Sequence, residues 1–74
     1  MLNDRKYTIE TEQEIDGRWI AEIIELPGVM AYGETIEQAQ AKVEALAFRV
    51  LAEEIDASDE SKPIGFSRIA FSNV

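Results

Sequence analysis

"ELPGVMAYGET", Glu25 to Thr35, lies near the middle of a chain of 74 residues. It leads from a strongly apolar segment, through Pro27-Gly28, to a second glycine and a helix start. Pro27 presets φ for the first corner of a tight turn, and Gly28 supplies the positive φ that a type II turn needs next. "VMAY", Val29 to Tyr32, then reads as a short third strand, and Gly33 lets the chain leave it. Thr35 and Gln38 fit a capping box, in which the threonine oxygen accepts from the Gln38 backbone N–H and Gln38 reaches back. Glu34 and Glu37 stand where the positive end of a helix dipole favours acids. The stretch holds no nucleophile or base of a useful type. It reads as a corner of the fold, and function is expected on surfaces.

Upstream, "KYTIETEQE" alternates from Lys6 to Glu14 as a half-buried strand does, with Tyr7, Ile9 and Thr11 on one side and Thr8, Glu10 and Glu12 on the other. "RWIAEIIEL", Arg18 to Leu26, is a second strand rich in β-branched and aromatic residues. So short a link makes the two an antiparallel hairpin. Its register is decisive, because a slip of one residue flips every side chain. A two-residue Asp16-Gly17 loop groups Tyr7 and Ile9 with Ile20, Ile24 and Leu26. A three-residue Ile15-Asp16-Gly17 loop with a glycine bulge groups them with Trp19, Ala21 and Ile23. The second is preferred: it puts the single tryptophan with the core candidates and gathers Glu10, Glu12 and Glu22 opposite. In either register one face keeps exposed apolar residues.

Downstream, Ile36 to about Asp56 has helical periodicity. Ile36, Ala39, Val43, Leu46, Ala47 and Val50 form one stripe. Phe48, Leu51 and Ile55 widen it beyond one contact face, so the helix is expected to cover the sheet and touch something else. "DASDESKP", Asp56 to Pro63, reads as a polar connector, and "GFSRIAFSNV" as a last strand. The expected fold is α+β with the order β-β-β-α-β: a three-stranded antiparallel meander, one long helix packed on the sheet and a C-terminal strand, in a single domain over residues 1–74.

A domain this small buries only a modest core. The sequence has no cysteine, which removes disulfides and thiolate metal sites. Self-association is the remaining common route to more burial, so a homo-oligomer is expected. A net charge of −8, from 15 acids and 7 bases, disfavours nonspecific nucleic-acid binding and permits a basic protein partner. No apolar run is long enough to span a membrane, and "MLNDRKYTIE" lacks a signal-peptide core, so a cytoplasmic protein is expected.

The sequence has no histidine either, so the usual general base, thiol nucleophile and imidazole ligand are all missing. No catalytic, cofactor-binding or metal-ligating residue is assigned, and no enzyme activity is expected. What remains is surface. Glu10, Glu12, Glu14 and Glu22 make an acid-rich strand face, either merely solvated or suited to a basic partner. Ile20, Ile24 and Met30 are the candidate apolar anchors beside it, for a partner or for another copy of the chain. The candidate surface is therefore Glu10, Glu12, Ile20, Glu22, Ile24 and Met30. Trp19 is assigned to core packing, and Arg49 and Arg68 to salt bridges.

The ordered segments "YTIE", "DGRWIAEIIELPGV", "YGETIEQA" and "KVEAL" resemble the HicB-like antitoxin family over roughly Lys6 to Ile55. The resemblance implies a partial ribonuclease-H-like fold assembled into dimers or tetramers. It also implies a partner: a HicA-type toxin, a small basic ribonuclease that the antitoxin binds and blocks. Many family members add a C-terminal DNA-binding segment. None is expected within these 74 residues, nor repression of its own operon by this chain. A ribonuclease-H-type metal site would need convergent acids. Glu10 and Glu12 face away from the helix in the preferred register, and the last strand has no acid.

Overall fold

The computed structural model of the chain describes residues 3–57 and 66–74. In order it contains β1 (Asn3–Gln13), β2 (Trp19–Ile23), β3 (Met30–Gly33), α1 (Ile36–Ala57) and β4 (Phe66–Asn73). The β-β-β-α-β order and the α+β class are those the sequence implies. Most of the stretch read as a polar connector falls in residues 58–65, outside the described residues, while Asp56 and Ala57 belong to α1.

The four strands form one mixed sheet in the order β3-β2-β1-β4. The meander is antiparallel, and β4 joins β1 in parallel. In the β1–β2 register Ile9 faces Ile23, Thr11 faces Ala21 and Gln13 faces Trp19. This is the three-residue loop. The Gly17 N–H donates to the Glu14 carbonyl at 2.9 Å, and Gly17 takes φ +93°. Asp16 locks the loop by accepting from the Arg18 backbone N–H at 3.0 Å and from its Nε at 2.9 Å. Those bonds, the backbone one foremost, hold the Asp16 carboxyl below its ordinary range.

The second strand is shorter than its composition suggests. It ends at Ile23, and Ile24 to Gly28 turn. The turn at Pro27-Gly28 is as read: the Val29 N–H donates to the Leu26 carbonyl at 3.0 Å and Gly28 has φ +86°. Val29 is buried just before β3 rather than being part of it.

The helix cap also forms. The Gln38 N–H donates to Thr35 Oγ1 at 3.0 Å, and Gln38 Oε1 accepts from the Glu34 N–H at 2.6 Å, one residue further back than in the standard box. Gly33 has a further role at the end of β3. Its φ is not positive, so it is not needed for a special exit conformation. A Cβ there would lie 2.5 Å from the Ala39 backbone nitrogen. Glycine lets β3 touch the backbone of the helix's first turn.

The core lies between α1 and one face of the sheet. Tyr7, Ile9, Ala21 and Ile23 are buried from the sheet, and Ala39, Val43, Ala47 and Leu51 from the helix. Trp19, Leu46 and Val50 pack at its margin. The helix rests chiefly on β3 and β2 and touches β1 less. Ala21, Ala39 and Ala47 are fully buried in this core, and small side chains let a helix and a sheet approach closely. Phe48 and Ile55 remain about half exposed on the helix flank. Among the described residues, no helix is long and apolar enough to cross a membrane.

Candidate functional site

Strand alternation assigns the second face of the sheet. Ile9, Ala21 and Ile23 point into the core, so their neighbours in sequence point away from it. The register then sets them in two rows. Glu12 stands opposite Ile20, which stands opposite Tyr32; Glu10 stands opposite Glu22, which stands opposite Met30. Ile24 follows beside Thr8, whose carbonyl accepts its N–H at 3.0 Å. No described element covers this face. All six residues singled out in the sequence, Glu10, Glu12, Ile20, Glu22, Ile24 and Met30, meet on it.

The face grades from acidic to apolar. β1 contributes Glu10 and Glu12, β2 mixes Ile20 and Glu22, and β3 offers Met30 and Tyr32, which are 41% and 42% exposed. Tyr32 was missed as a site residue. The signal was available, because alternation from Met30 places it on the same face. The Arg18 guanidinium lies 4.6 Å from the centre of the Tyr32 ring, a cation–π contact that holds the ring at the rim.

Glu10, Thr11, Glu12, Glu14, Ile20 and Glu22 line a shallow depression of about 180 Å³. Small-molecule sites usually enclose about 300–1,000 Å³. The form suits a contact with a larger molecule. Glu10 and Glu22 are directly opposite in the antiparallel ladder, an arrangement that like charges destabilise. Neither is in an ion pair with any described residue; the ion pair at this end of the sheet joins Arg18 to Asp16. Among the described residues, no three acids converge in a way that could hold a metal ion.

At the lower margin, Glu25 has a role that sequence spacing did not show. Its Oε1 accepts from the Thr8 backbone N–H at 2.7 Å and its Oε2 from the Thr8 hydroxyl at 2.8 Å. The carboxylate thus takes the place of a ladder carbonyl where β2 leaves the sheet. These two bonds, the backbone one first, hold its carboxyl below the ordinary range. The partners are distant in sequence, and no local pattern links them.

Comparison with protein-family models, curated proteins and solved structures finds no match to this chain.

Proposed function

We propose that this chain is a HicB-like antitoxin module that binds a small basic ribonuclease of the HicA type through the open face of its sheet. The carrying observation is the Glu10–Glu22 pair: two exposed carboxylates directly opposite one another, with no described cation between them. A partner's Lys or Arg placed there would relieve a repulsion that the free protein bears. The neighbouring Ile20, Tyr32 and Met30 would supply desolvated anchors, while the acids set selectivity and association rate. The order of segments from "YTIE" to "KVEAL" supplies the family resemblance. In this reading the chain acts by covering a toxin's surface and performs no chemistry itself.

The test is capture of the tagged protein's partners from its native host, in parallel with the Glu10→Lys/Glu22→Lys variant. A stoichiometric small basic protein should co-elute with the wild type and be lost with the variant, and its RNA cleavage should be suppressed by adding the wild type. Recovery of the chain alone would favour a free-standing scaffold or regulatory module without a toxin. The exposed Phe48 and Ile55 give that second reading its own support.

A further inference from the structure

The sheet has two edges, and they differ. β3 is four residues long, whereas β4 runs for eight, from Phe66 to Asn73. Long edges are a hazard, and soluble proteins usually blunt them with lysines, prolines, bulges or a covering element. β4 has neither proline nor lysine; its one charged residue is Arg68, and Ser67 is skipped as a bulge between the Asn3–Phe66 and Asp4–Arg68 pairs, so the regular, uncharged part of this edge runs from Ile69 to Asn73. The Val74 N–H donates inward to the Ile9 carbonyl at 3.0 Å. Alternation then turns the N–H groups of Ile69, Phe71 and Asn73 outward, where no described strand meets them.

The surroundings of this edge are also poor in acid. The chain has 15 acidic residues, yet Phe66 to Asn73 contains none. Above the edge, Phe71 is partly buried, with Tyr7 at 5.8 Å on one side and Phe48 at 5.7 Å on the other. Phe48 is 51% exposed, and its helical neighbours Ala45 and Ala52 are exposed and uncharged.

We infer that β4 is the seam of a symmetric dimer, its outer edge pairing antiparallel with β4 of a second copy of this chain. The charge distribution selects the occupant. Joining two copies through their open faces would press Glu10, Glu12, Glu14 and Glu22 of one against the same residues of the other. Neither edge strand carries an acid, and β4 is the longer of the two, so its edge is where a chain of net charge −8 can meet itself over the greatest length without opposing carboxylates. A strand pairing antiparallel with its own copy is self-complementary, as a two-fold interface requires. The joined strands would present Ile69 and Phe71 of both copies on the helix side, flanked by each Phe48. On the other side the seam would carry the small Ala70 and Ser72, with Arg68 next in the same alternation, leaving both acidic faces clear and pointing the same way. This inference is independent of the toxin proposal, since its surface and its readout are different.

Two measurements on the intact chain test it together. Light scattering at tens of micromolar should give twice the 8.3 kDa chain mass. Amide hydrogen exchange followed by NMR should show the outward N–H groups of Ile69, Phe71 and Asn73 protected, with protection lost on dilution to the monomer. Asn73→Pro removes one outward donor and leaves the inward ladder to β1 intact, so it should weaken the dimer while the circular dichroism spectrum is kept. Ile20→Lys, on the open face, should leave the mass unchanged. A monomer at every concentration would overturn the inference, as would a dimer whose Ile69, Phe71 and Asn73 amides exchange freely. Loss of the dimer on Ile20→Lys but not on Asn73→Pro would overturn it too, by moving the contact to the open face.

Discussion

Along β1 the chain meets two neighbourhoods. From Ile9 to Gln13 the strand pairs with β2, on which, with β3, the helix chiefly rests. From Asn3 to Ile9 it pairs with β4, beyond the region where the helix makes most of its contacts. The first is backed by β2 and β3 under the helix, where β3 comes so close at Gly33 that a Cβ would meet the Ala39 backbone. The second is held by a parallel ladder and by the Tyr7, Phe71 and Phe48 rings. Residues with the same β-forming character thus serve different ends: packing under the helix on one side and, beyond the buried Tyr7 and Ile9, an edge that no described strand meets on the other.

The largest effect should separate the halves directly. Ile23, fully buried in the first half, should cost about 2–5 kcal/mol when changed to alanine, measured by urea unfolding. Ile69→Ala, at the partly buried margin of the second, should cost clearly less under conditions where the chain is monomeric. Equal losses would dissolve the distinction. Gly33→Ala comes next. Its new methyl would meet helix backbone, which has no rotamer with which to yield, so a loss of about 1–3 kcal/mol is expected although the change adds one carbon.

Tyr7, where the halves meet, predicts a sign. Its hydroxyl is buried without a hydrogen-bond partner among the described residues. Tyr7→Phe should therefore leave stability unchanged or raise it; a loss of about 1 kcal/mol or more would show that the hydroxyl is satisfied. The smallest effect belongs to the exposed Glu25 clip. Because the folded protein holds this carboxyl below its ordinary range, its contribution is present at neutral pH and is lost as pH falls through that depressed value. The difference in thermal midpoint between wild type and Glu25→Ala should be present at neutral pH and vanish in acid. A difference independent of pH would assign the loss to something other than the carboxylate.

How much was legible in the sequence follows the range of the interactions. The hairpin loop, the Pro27-Gly28 turn and the Thr35–Gln38 cap are local, and residue types near one another specify them. The open face was legible because a strand has a period of two: once Ile9 is inside, Glu10 and Glu12 are outside. The parallel pairing of β4 with β1 could not be read, since no periodicity encodes which edge a returning strand chooses. The Thr8–Glu25 clip was hidden for the same reason. The close approach of Gly33 to the Ala39 backbone was not legible either, because a glycine kept for packing and one kept for conformation are the same letter in a sequence.

The parallel pairing of β4 with β1 also has a consequence in time. The hairpin, β3 and α1 rest on near-neighbour contacts, whereas β4 must return across all of them to reach β1. Contacts between distant segments form slowly, because the intervening chain must first be closed into a loop. During synthesis, every residue from Glu10 to Tyr32 on the open face has been made before β4 exists.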